Sequence, residues 1–587
     1  MYYANERNIL ILVALLKAHG IKKVIASPGT TNLSFVACLQ CDSFFEVYSC
    51  VDERSAAYMA CGLAAETGEP VVITCTGATA SRNYVSALTE AFYRKLPILA
   101  VTGTQSTDRV GQLQSQLIDR SRLQKDIVKL SVDIRAVYTD EDAHDATVYI
   151  NKAITELTRN GGGPVHINLR TRYIRDYSVK SLPEVQIIKR LDYSTIELMP
   201  EMPEGRIGIF VGSHNTFSVK LTEAIDRFCA SRNAVVLCDH TSGYYGKFKV
   251  NFSLIASQTN YKCELLKLDL CIHIGEISPE YGTLGYMTAK HPVWRLSPDG
   301  EIRDQFFKLQ YIFALEESDF FNYYTIESAE PQNSYYQACQ DEILKAQSLL
   351  PEFPFSNIWI ASILSPKLPK GSCLHLGILN STRAWNLFQL DKSITSFANV
   401  GGFGIDGGVS SLIGASLANK DKLYFGIVGD LAFFYDMNVL GNRHVGNNIR
   451  LLVVNNGKGT EFRNFYHPGA LFGEEADKYM AAGGHFGNKS KTLVKHYAED
   501  LGYKYISAST KEEFLSKYEP FINPEINQAS VIFEVFTSSQ DESDALKLAW
   551  GILTDVSTVF DKKFKSVGNK IIGKKGIGII KRLLGRK

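Results

Sequence analysis

Residues 427–459 read IVGDLAFFYDMNVLGNRHVGNNIRLLVVNNGKG. Two short apolar runs, 424–428 leading into this stretch and 451–454 inside it, predict strands, and the segment between them has the length of a helix. A strand–helix–strand unit pairs its strands in parallel, so both carboxyl ends lie at one edge of a sheet. Asp430 follows the first strand and Asn456 follows the second, so both are expected at that edge, where open α/β sheets bind ligands.

The same alternation of apolar runs and helical patterns continues through the chain of 587 residues, which is longer than one hydrophobic core usually supports. It predicts the α/β class, with three doubly wound parallel-sheet domains and a basic C-terminal tail. The predicted limits are 1–182, 183–350, 351–545 and, for the tail, 546–587.

The overall charge shows no bias towards nucleic acid, because 63 basic residues face 62 acidic ones. No apolar stretch approaches the length of a membrane span, and no export signal is visible, so a cytoplasmic location is expected.

The tail differs from the rest of the chain. Residues 562–587 contain no acidic residue, and Lys and Arg alternate there with Ile and Leu. An interfacial helix in contact with anionic lipid and a solvated tail explain this composition equally well.

The edge of the predicted sheet carries the ligands of a hard cation. Asp430, the side-chain amide oxygen of Asn456 and the backbone carbonyl of Lys458 offer three oxygen atoms. The N–H groups of Leu431 and Ala432, at the start of the helix, would face a diphosphate. The pattern predicts a diphosphate bridged by Mg²⁺.

A second interpretation competes with this one. Residues 402–407 read GFGIDG, a G-x-G-x-x-G sequence that precedes a helix, and Asp430 ends the next strand where a ribose-binding acid is expected. A nicotinamide or flavin site is therefore conceivable. The Asn455-Asn456 pair has no role in dinucleotide binding, however, and favours the metal-bridged diphosphate.

The spacing of Gly-Asp and Asn-Asn resembles the thiamine-diphosphate-binding motif, although Leu431 replaces its third residue, a glycine. Four stretches resemble the thiamine-diphosphate-dependent decarboxylase and acetohydroxyacid synthase superfamily, and the resemblance covers about residues 5–540. The closest branch is 2-succinyl-5-enolpyruvyl-6-hydroxy-3-cyclohexene-1-carboxylate synthase. The stretches are SPGTTN (27–32), VDERSAAYMACGLAAETGEPVVITCTGATA (51–80), GFGIDGG (402–408) and GDLAFFYDMNVL (429–440).

This resemblance implies a pyrimidine-binding domain, a middle domain without cofactor and a diphosphate-binding domain, in that order. It implies thiamine diphosphate and Mg²⁺ as cofactors. It also implies a homodimer or homotetramer whose active sites lie between subunits.

The resemblance also assigns roles to individual residues. Glu53 becomes the acid that activates the N1′ nitrogen of the cofactor, Gln116 lies near the reacting carbon, and Ile405 is the apolar wedge that holds the bent cofactor. Together with the positions inferred from the residues themselves, the expected cofactor-binding positions are Glu53, Asn380, Ser381, Gly404, Ile405, Gly429, Asp430, Leu431, Ala432 and Asn456; the expected metal ligands are Asp430, Asn456 and the backbone carbonyl of Lys458.

Two departures from that branch predict a different substrate pair. Thr30-Thr31 stands where the branch carries Ser-Arg, and Val400 stands where it carries a second arginine. In that branch both arginines help to hold substrate carboxylates. The loss of each one removes roughly 1.5–3 kcal/mol from the binding free energy of a di-acid. Arg383 could replace one of the lost arginines, and Glu461 predicts a more polar acceptor pocket. The candidate substrate residues are therefore Thr30, Thr31, Arg383 and Glu461.

The predicted reaction transfers an acyl-anion equivalent from a decarboxylated 2-oxo acid to an acceptor. A simple 2-oxo acid decarboxylase that releases an aldehyde is the alternative, and the sequence does not separate the two. A non-catalytic protein on the same fold would be expected to lose Glu53, which is present.

Overall fold

The computed structural model describes residues 2–105, 107–120, 123–280, 282–283, 285, 291–327 and 330–554. These residues form two compact units. The first contains Met1–Met199 and Pro298–Leu315, and the second contains Pro200–Ser297 and the chain from Glu316 onwards. The predicted α/β class with three parallel sheets is confirmed. Residues 555–587, most of the predicted basic tail, lie outside the described residues.

The first sheet belongs to the first unit. Its strands are β1 (Lys23–Ala26), β2 (Glu46–Ser49), β3 (Val71–Cys75), β4 (Ile98–Thr104), β5 (Leu130–Ile134) and β6 (Val165–Arg170). Its helices are α1 (Arg7–Ala18), α2 (Leu33–Gln40), α3 (Glu53–Thr67), α4 (Thr79–Asn83), α5 (Val85–Tyr93) and α6 (Asp140–Glu156). The order is β2-β1-β3-β4-β6-β5, all parallel. The chain reverses its direction across the sheet between β1 and β3, which creates a topological switch point there.

The middle part of the chain contains the strands β7 (Lys189–Asp192), β8 (Ile207–Val211), β9 (Val235–Cys238), β10 (Lys249–Val250), β11 (Leu270–Ile274), β12 (Val293–Leu296) and β13 (Leu309–Ala314). The helices here are α7 (Val219–Arg232), α8 (Ser253–Ala256), α9 (Glu317–Tyr324) and α10 (Ser334–Ser348). In the second unit the order is β10-β9-β8-β11-β12, all parallel. In the first unit β7 and β13 pair in parallel.

The third sheet also belongs to the second unit. Its strands are β14 (Cys373–Leu376), β15 (Thr395–Ala398), β16 (Tyr424–Gly429), β17 (Ile449–Asn455), β18 (Lys504–Ala508) and β19 (Val531–Phe536). The helices are α11 (Asn357–Leu364), α12 (Asn380–Trp385), α13 (Gly408–Ser416), α14 (Asp430–Asp436), α15 (Glu475–Tyr479), α16 (Leu493–Asp500), α17 (Lys511–Lys517), α18 (Glu519–Ile522) and α19 (Ser539–Ala549). The order β15-β14-β16-β17-β19-β18 places a second switch point between β14 and β16. Because α19 crosses residue 546, the first residues of the predicted tail belong to the last described helix.

The central strands are buried on both faces, as parallel sheets covered by helices require. In β3, Val72 packs into one apolar cluster and its neighbours Val71 and Ile73 pack into another. No helix among the described residues has both the length and the apolar character to cross a membrane.

Candidate functional site

The two predicted strand ends lie side by side. Strands β16 and β17 pair in parallel with Gly429 opposite Val454, which brings Asp430 and the turn after β17 to the same edge. Asp430 opens α14 and is only 3% exposed. Burial raises the pKa of this carboxyl group to about 7, although the backbone N–H groups of Leu431 and Gly457 favour its ionised form.

The two asparagines at the end of β17, Asn455 and Asn456, have different roles. Asn455 braces the turn: its Nδ2 donates to Glu534 Oε1 at 2.7 Å, and its Oδ1 accepts from the Gly457 N–H at 3.1 Å. Gly457 has φ +76°, and a Cβ there would lie 2.3 Å from Asn488 Nδ2, so this turn requires glycine. The Oδ1 atom of Asn456 is buried and accepts no hydrogen bond from the described residues. A buried oxygen without a donor is what a metal ligand offers before the metal binds.

The third predicted ligand is the carbonyl of Lys458. This oxygen accepts the Thr460 N–H at 2.9 Å and keeps a second lone pair. The Lys458 side chain is occupied elsewhere, because its Nζ lies 2.5 Å from Asp477 Oδ2. Asp430, Asn456 and the Lys458 carbonyl therefore form an all-oxygen set that could hold a hard divalent cation.

The switch point of the third sheet carries the predicted Asn380-Ser381 pair. Leu379, at φ +64°, turns the chain from β14 into α12, which Asn380 opens. Asn380 Oδ1 accepts hydrogen bonds from Arg383 Nη1 at 2.8 Å and from Asn464 Nδ2 at 3.0 Å. The hydroxyl of Ser381 is buried, with Asn357 Nδ2 at 3.5 Å.

Arg383 and Glu461, both predicted to contact substrate, bind each other. Nη1 and Nη2 of Arg383 donate to the two carboxylate oxygens of Glu461 at 2.8 and 3.2 Å. Tyr466 donates its hydroxyl to Glu461 Oε1 at 2.5 Å, and the guanidinium lies 5.4 Å from the centroid of its ring. Burial opposes ionisation of Glu461, but Arg383 holds the pKa of this carboxyl below its usual range. The charge of Arg383 is thus already compensated.

A cavity of about 500 Å³ lies beside this ion pair in the second unit. Its walls are mainly apolar and aromatic, interrupted by a few polar groups, which is typical of small-molecule pockets. Lining residues include Arg383, Asn386, Leu387, Glu461, Tyr466 and Trp550.

The glycine-rich loop before α13 is a braced turn. Asn399 Nδ2 donates to the Gly407 carbonyl at 3.1 Å, which ties the two ends of the loop together. Within it Gly404 is exposed and Ile405 is half-buried. The apolar side chain of Ile405 therefore remains available for the predicted contact with a cofactor.

Glu53 lies in the first unit, at the first position of α3, and three residues separate it from the end of β2. Asp52 caps the helix, because its side chain accepts a hydrogen bond from the Ser55 N–H at 2.7 Å. The Glu53 carboxylate is therefore not needed as the helix cap. Asn83 Nδ2 donates to Glu53 Oε2 at 3.2 Å. Gln116 lies in an exposed loop with φ +63°.

The predicted Thr30-Thr31 pair divides into an exposed and a buried residue. Thr31 Oγ1 lies 2.7 Å from Thr76 Oγ1 and donates to the Gly103 carbonyl at 3.0 Å. Thr31 therefore fastens the loop after β1 to the ends of β3 and β4. Thr30 is exposed.

Arg120 is a candidate that the sequence analysis missed. It is only 4% exposed; Nη2 donates to the Gly103 carbonyl at 3.2 Å, and Nε and Nη1 find no acceptor among the described residues. An arginine in a polar loop is typical of a protein surface, so composition gave no signal. Its position four residues after Gln116 was the available hint.

Comparisons with known proteins identify a family and several relatives of this chain. The family described as "Thiamine pyrophosphate enzyme, N-terminal TPP binding domain" matches residues 10–123. A protein of Bacteroides fragilis named 2-succinyl-5-enolpyruvyl-6-hydroxy-3-cyclohexene-1-carboxylate synthase is 30% identical over 572 residues, which is 93% of this chain and 98% of the relative. Proteins with the same name from Bacteroides thetaiotaomicron and Flavobacterium johnsoniae are 30% identical (93% of this chain, 98% of the relative) and 27% identical (92% and 98%).

Proposed function

Because the chain belongs to the thiamine-diphosphate-dependent family of the 2-succinyl-5-enolpyruvyl-6-hydroxy-3-cyclohexene-1-carboxylate synthases, we propose that it decarboxylates a 2-oxo acid and transfers the remaining acyl unit to an acceptor. The observation that carries the proposal is the buried Oδ1 of Asn456, which has no hydrogen-bond donor among the described residues and lies at the sheet edge that also holds Asp430.

Asp430, Asn456 and the Lys458 carbonyl hold Mg²⁺, which neutralises part of the charge of the diphosphate. The backbone N–H groups of Leu431 and Ala432 lie in the first turn of α14, where no preceding helical turn supplies carbonyl acceptors, and they complete the diphosphate site; that of Leu431 also contacts the Asp430 carboxyl group. Thiamine diphosphate, when bound, supplies the nucleophilic carbon and the electron sink for loss of CO₂. Glu53 holds a proton at the N1′ nitrogen of the cofactor, and Ile405 provides the apolar support.

The smallest active assembly is a homodimer with sites between subunits. Glu53 and Asp430 belong to different compact units. Helix α3, which Glu53 opens, exposes the large side chains of Tyr58 and Met59, and the adjacent Val51 is 77% exposed. Such a surface suits contact with a second subunit.

Two observations favour transfer over simple decarboxylation. The named relatives are synthases, and the 500 Å³ cavity beside Arg383 and Glu461 offers space for an acceptor. The Arg383–Glu461 pair, compensated within itself, supports an acceptor other than a dianion, in line with the missing arginines at Thr31 and Val400.

The test is CO₂ release from pyruvate and from 2-oxoglutarate, with thiamine diphosphate and Mg²⁺, measured with and without candidate carbonyl and alkene acceptors. If the enzyme transfers the acyl unit, the donor should be consumed faster when the acceptor is present. Release of an aldehyde at a rate that no acceptor changes would favour the decarboxylase.

Glu53→Gln is expected to lower turnover by roughly 10²–10⁴-fold, because the cofactor loses its proton-holding partner. Cofactor binding, measured by quenching of tryptophan fluorescence, should persist. Glu66→Gln, on the exposed face of the same helix, is the matched control. Unchanged turnover in Glu53→Gln contradicts the proposal.

A further inference from the structure

The first sheet ends beside a buried cation that lacks a counter-ion. Three nitrogens of Arg120 share five N–H groups, yet the Gly103 carbonyl is the one acceptor that the described residues provide. No ion pair joins Arg120 to a carboxylate of the described residues. A desolvated guanidinium in this state is costly unless something else completes its hydrogen bonds.

Burial and a second guanidinium both oppose the charge of Arg120. Burial lowers the pKa of Arg120 and the positive charge of Arg82 also lowers it, while Cys75 and Asp133 act in the opposite direction without forming a hydrogen bond or an ion pair with it among the described residues. Arg82 donates to the Asp119 carbonyl at 3.0 Å, so it too contacts a backbone oxygen rather than a carboxylate. Two guanidinium groups at this edge therefore favour an anion between or beside them.

The position is a ligand-binding one. The Gly103 carbonyl accepts hydrogen bonds from both Thr31 and Arg120, so the guanidinium lies next to the loop that follows β1. A Cβ on Gly77 would lie 3.4 Å from the carbonyl oxygen of Gln116 and 3.6 Å from Arg120 Nη2. Arg120, Thr31 and the backbone of Gln116 thus converge near the β1/β3 switch point.

We propose that Arg120 binds the carboxylate of the 2-oxo acid donor, an inference that rests on the proposed function. A planar guanidinium with several unused N–H groups matches a carboxylate in shape and charge. The chain lacks an arginine at Thr31, and the only arginine in the described lining of the 500 Å³ cavity is neutralised by Glu461. Arg120 supplies an uncompensated charge on the first sheet instead.

The kinetic test compares Arg120→Met and Arg120→Lys with the unaltered enzyme in CO₂ release from pyruvate without acceptor. Arg120→Met should raise KM for pyruvate about 10- to 100-fold, while kcat and the affinity for thiamine diphosphate change little. Arg120→Lys should have a smaller effect on KM than Arg120→Met, because lysine keeps the positive charge but cannot form the bidentate contact of a guanidinium. An unchanged KM for pyruvate in Arg120→Met overturns the inference, and so does a loss confined to kcat.

The binding test does not depend on activity. Pyruvate should raise the melting temperature of the unaltered protein, whereas its neutral analogue pyruvamide should not, and Arg120→Met should abolish the difference. If no donor releases CO₂, the proposed function fails, but the melting-temperature comparison still tests whether Arg120 binds a carboxylate. Equal shifts by pyruvate and pyruvamide overturn the inference.

A stability measurement separates ligand binding from a structural role. Without ligand, Arg120→Met should keep or raise the melting temperature, because it removes an unpaired buried charge. The control is Arg450→Met: Arg450 is fully buried and donates to the carbonyls of Asn447, Ile449 and Glu525, so its loss should destabilise the protein. Arg120→Met destabilised as strongly as Arg450→Met would show a structural arginine and overturn the inference.

Discussion

Asp430 is a carboxyl group whose environment changes with the occupancy of its site. Its pKa is raised from 3.8 to about 7 by burial. Without metal the neutral form therefore predominates below pH 7, and its contribution to stability is fully present below pH 3.8 and is lost as the pH rises through 7. The proposed Mg²⁺ needs the ionised form, so we expect metal binding and proton release to be coupled.

Asp430→Asn is expected to separate these two effects. In metal-free buffer at pH 8 the variant should melt at or above the temperature of the unaltered protein, because it removes a buried charge. With Mg²⁺ and thiamine diphosphate the order should reverse. For the unaltered protein, calorimetry should show Mg²⁺ affinity rising with pH by up to about tenfold per unit below pH 7. An affinity independent of pH from 5.5 to about 7 would contradict the assignment.

At the same scale, the sequence predicted some positions and missed others. Asp430 and Asn456 were predictable because strand ends and motif spacing are local properties. Arg120, Tyr466 and Trp550 were not, because burial and the loss of a hydrogen-bond partner arise only from tertiary packing. Arg383 was predicted as a substrate clamp, but its pairing with Glu461 joins residues 78 positions apart and was invisible in the sequence.

Among the elements, α13 depends on a cap from another helix. Its N-terminal neighbour Gly407 has no side chain to offer, and Asp436, in α14, accepts hydrogen bonds from both the N–H and the hydroxyl of Ser410 at 2.6 and 2.5 Å. The glycine-rich loop that carries Ile405 leads directly into this helix. Asp436 thus links α14, which Asp430 opens, to the loop that carries Ile405.

Asp436→Ala is expected to cost roughly 1–3 kcal/mol of unfolding free energy, because Ser410 loses both acceptors in a buried setting. The affinity for thiamine diphosphate should fall as well. Urea denaturation and cofactor titration measure the two effects, and Asp421→Ala, in an exposed turn, is the control. Equal midpoints for the two variants would contradict the role of the cap.

The strands differ in how well the sequence predicted them. Central strands such as β4 and β17 are buried at every position and appear as continuous apolar runs. The edge strands β5, β15 and β18 are covered less completely and lack that signal, so the sequence analysis did not predict them. The three-sheet architecture could therefore be predicted, but the width of each sheet could not.

At the level of the whole molecule, the proposed assembly combines Glu53 of one subunit with Asp430 of another. Glu53→Gln and Asp430→Asn should each be nearly inactive alone. Mixed in equal amounts under conditions that exchange subunits, they should recover about one quarter of the unaltered activity, because half the dimers are mixed and each has one intact site. Activity assays after exchange measure this, and no recovery despite demonstrated exchange would place both residues in one subunit.

The bidentate contact between Arg383 and Glu461 has a consequence for how acceptor preference could evolve. Because Glu461 already neutralises Arg383, an incoming dianion gains little electrostatic attraction from this arginine. The guanidinium nevertheless remains part of the cavity wall. Divergence among related enzymes can then proceed by removing the restraining carboxylate instead of recruiting a new arginine. In the proposed acceptor pocket, the preference for neutral or dianionic acceptors would then depend on whether residue 461 carries a carboxylate.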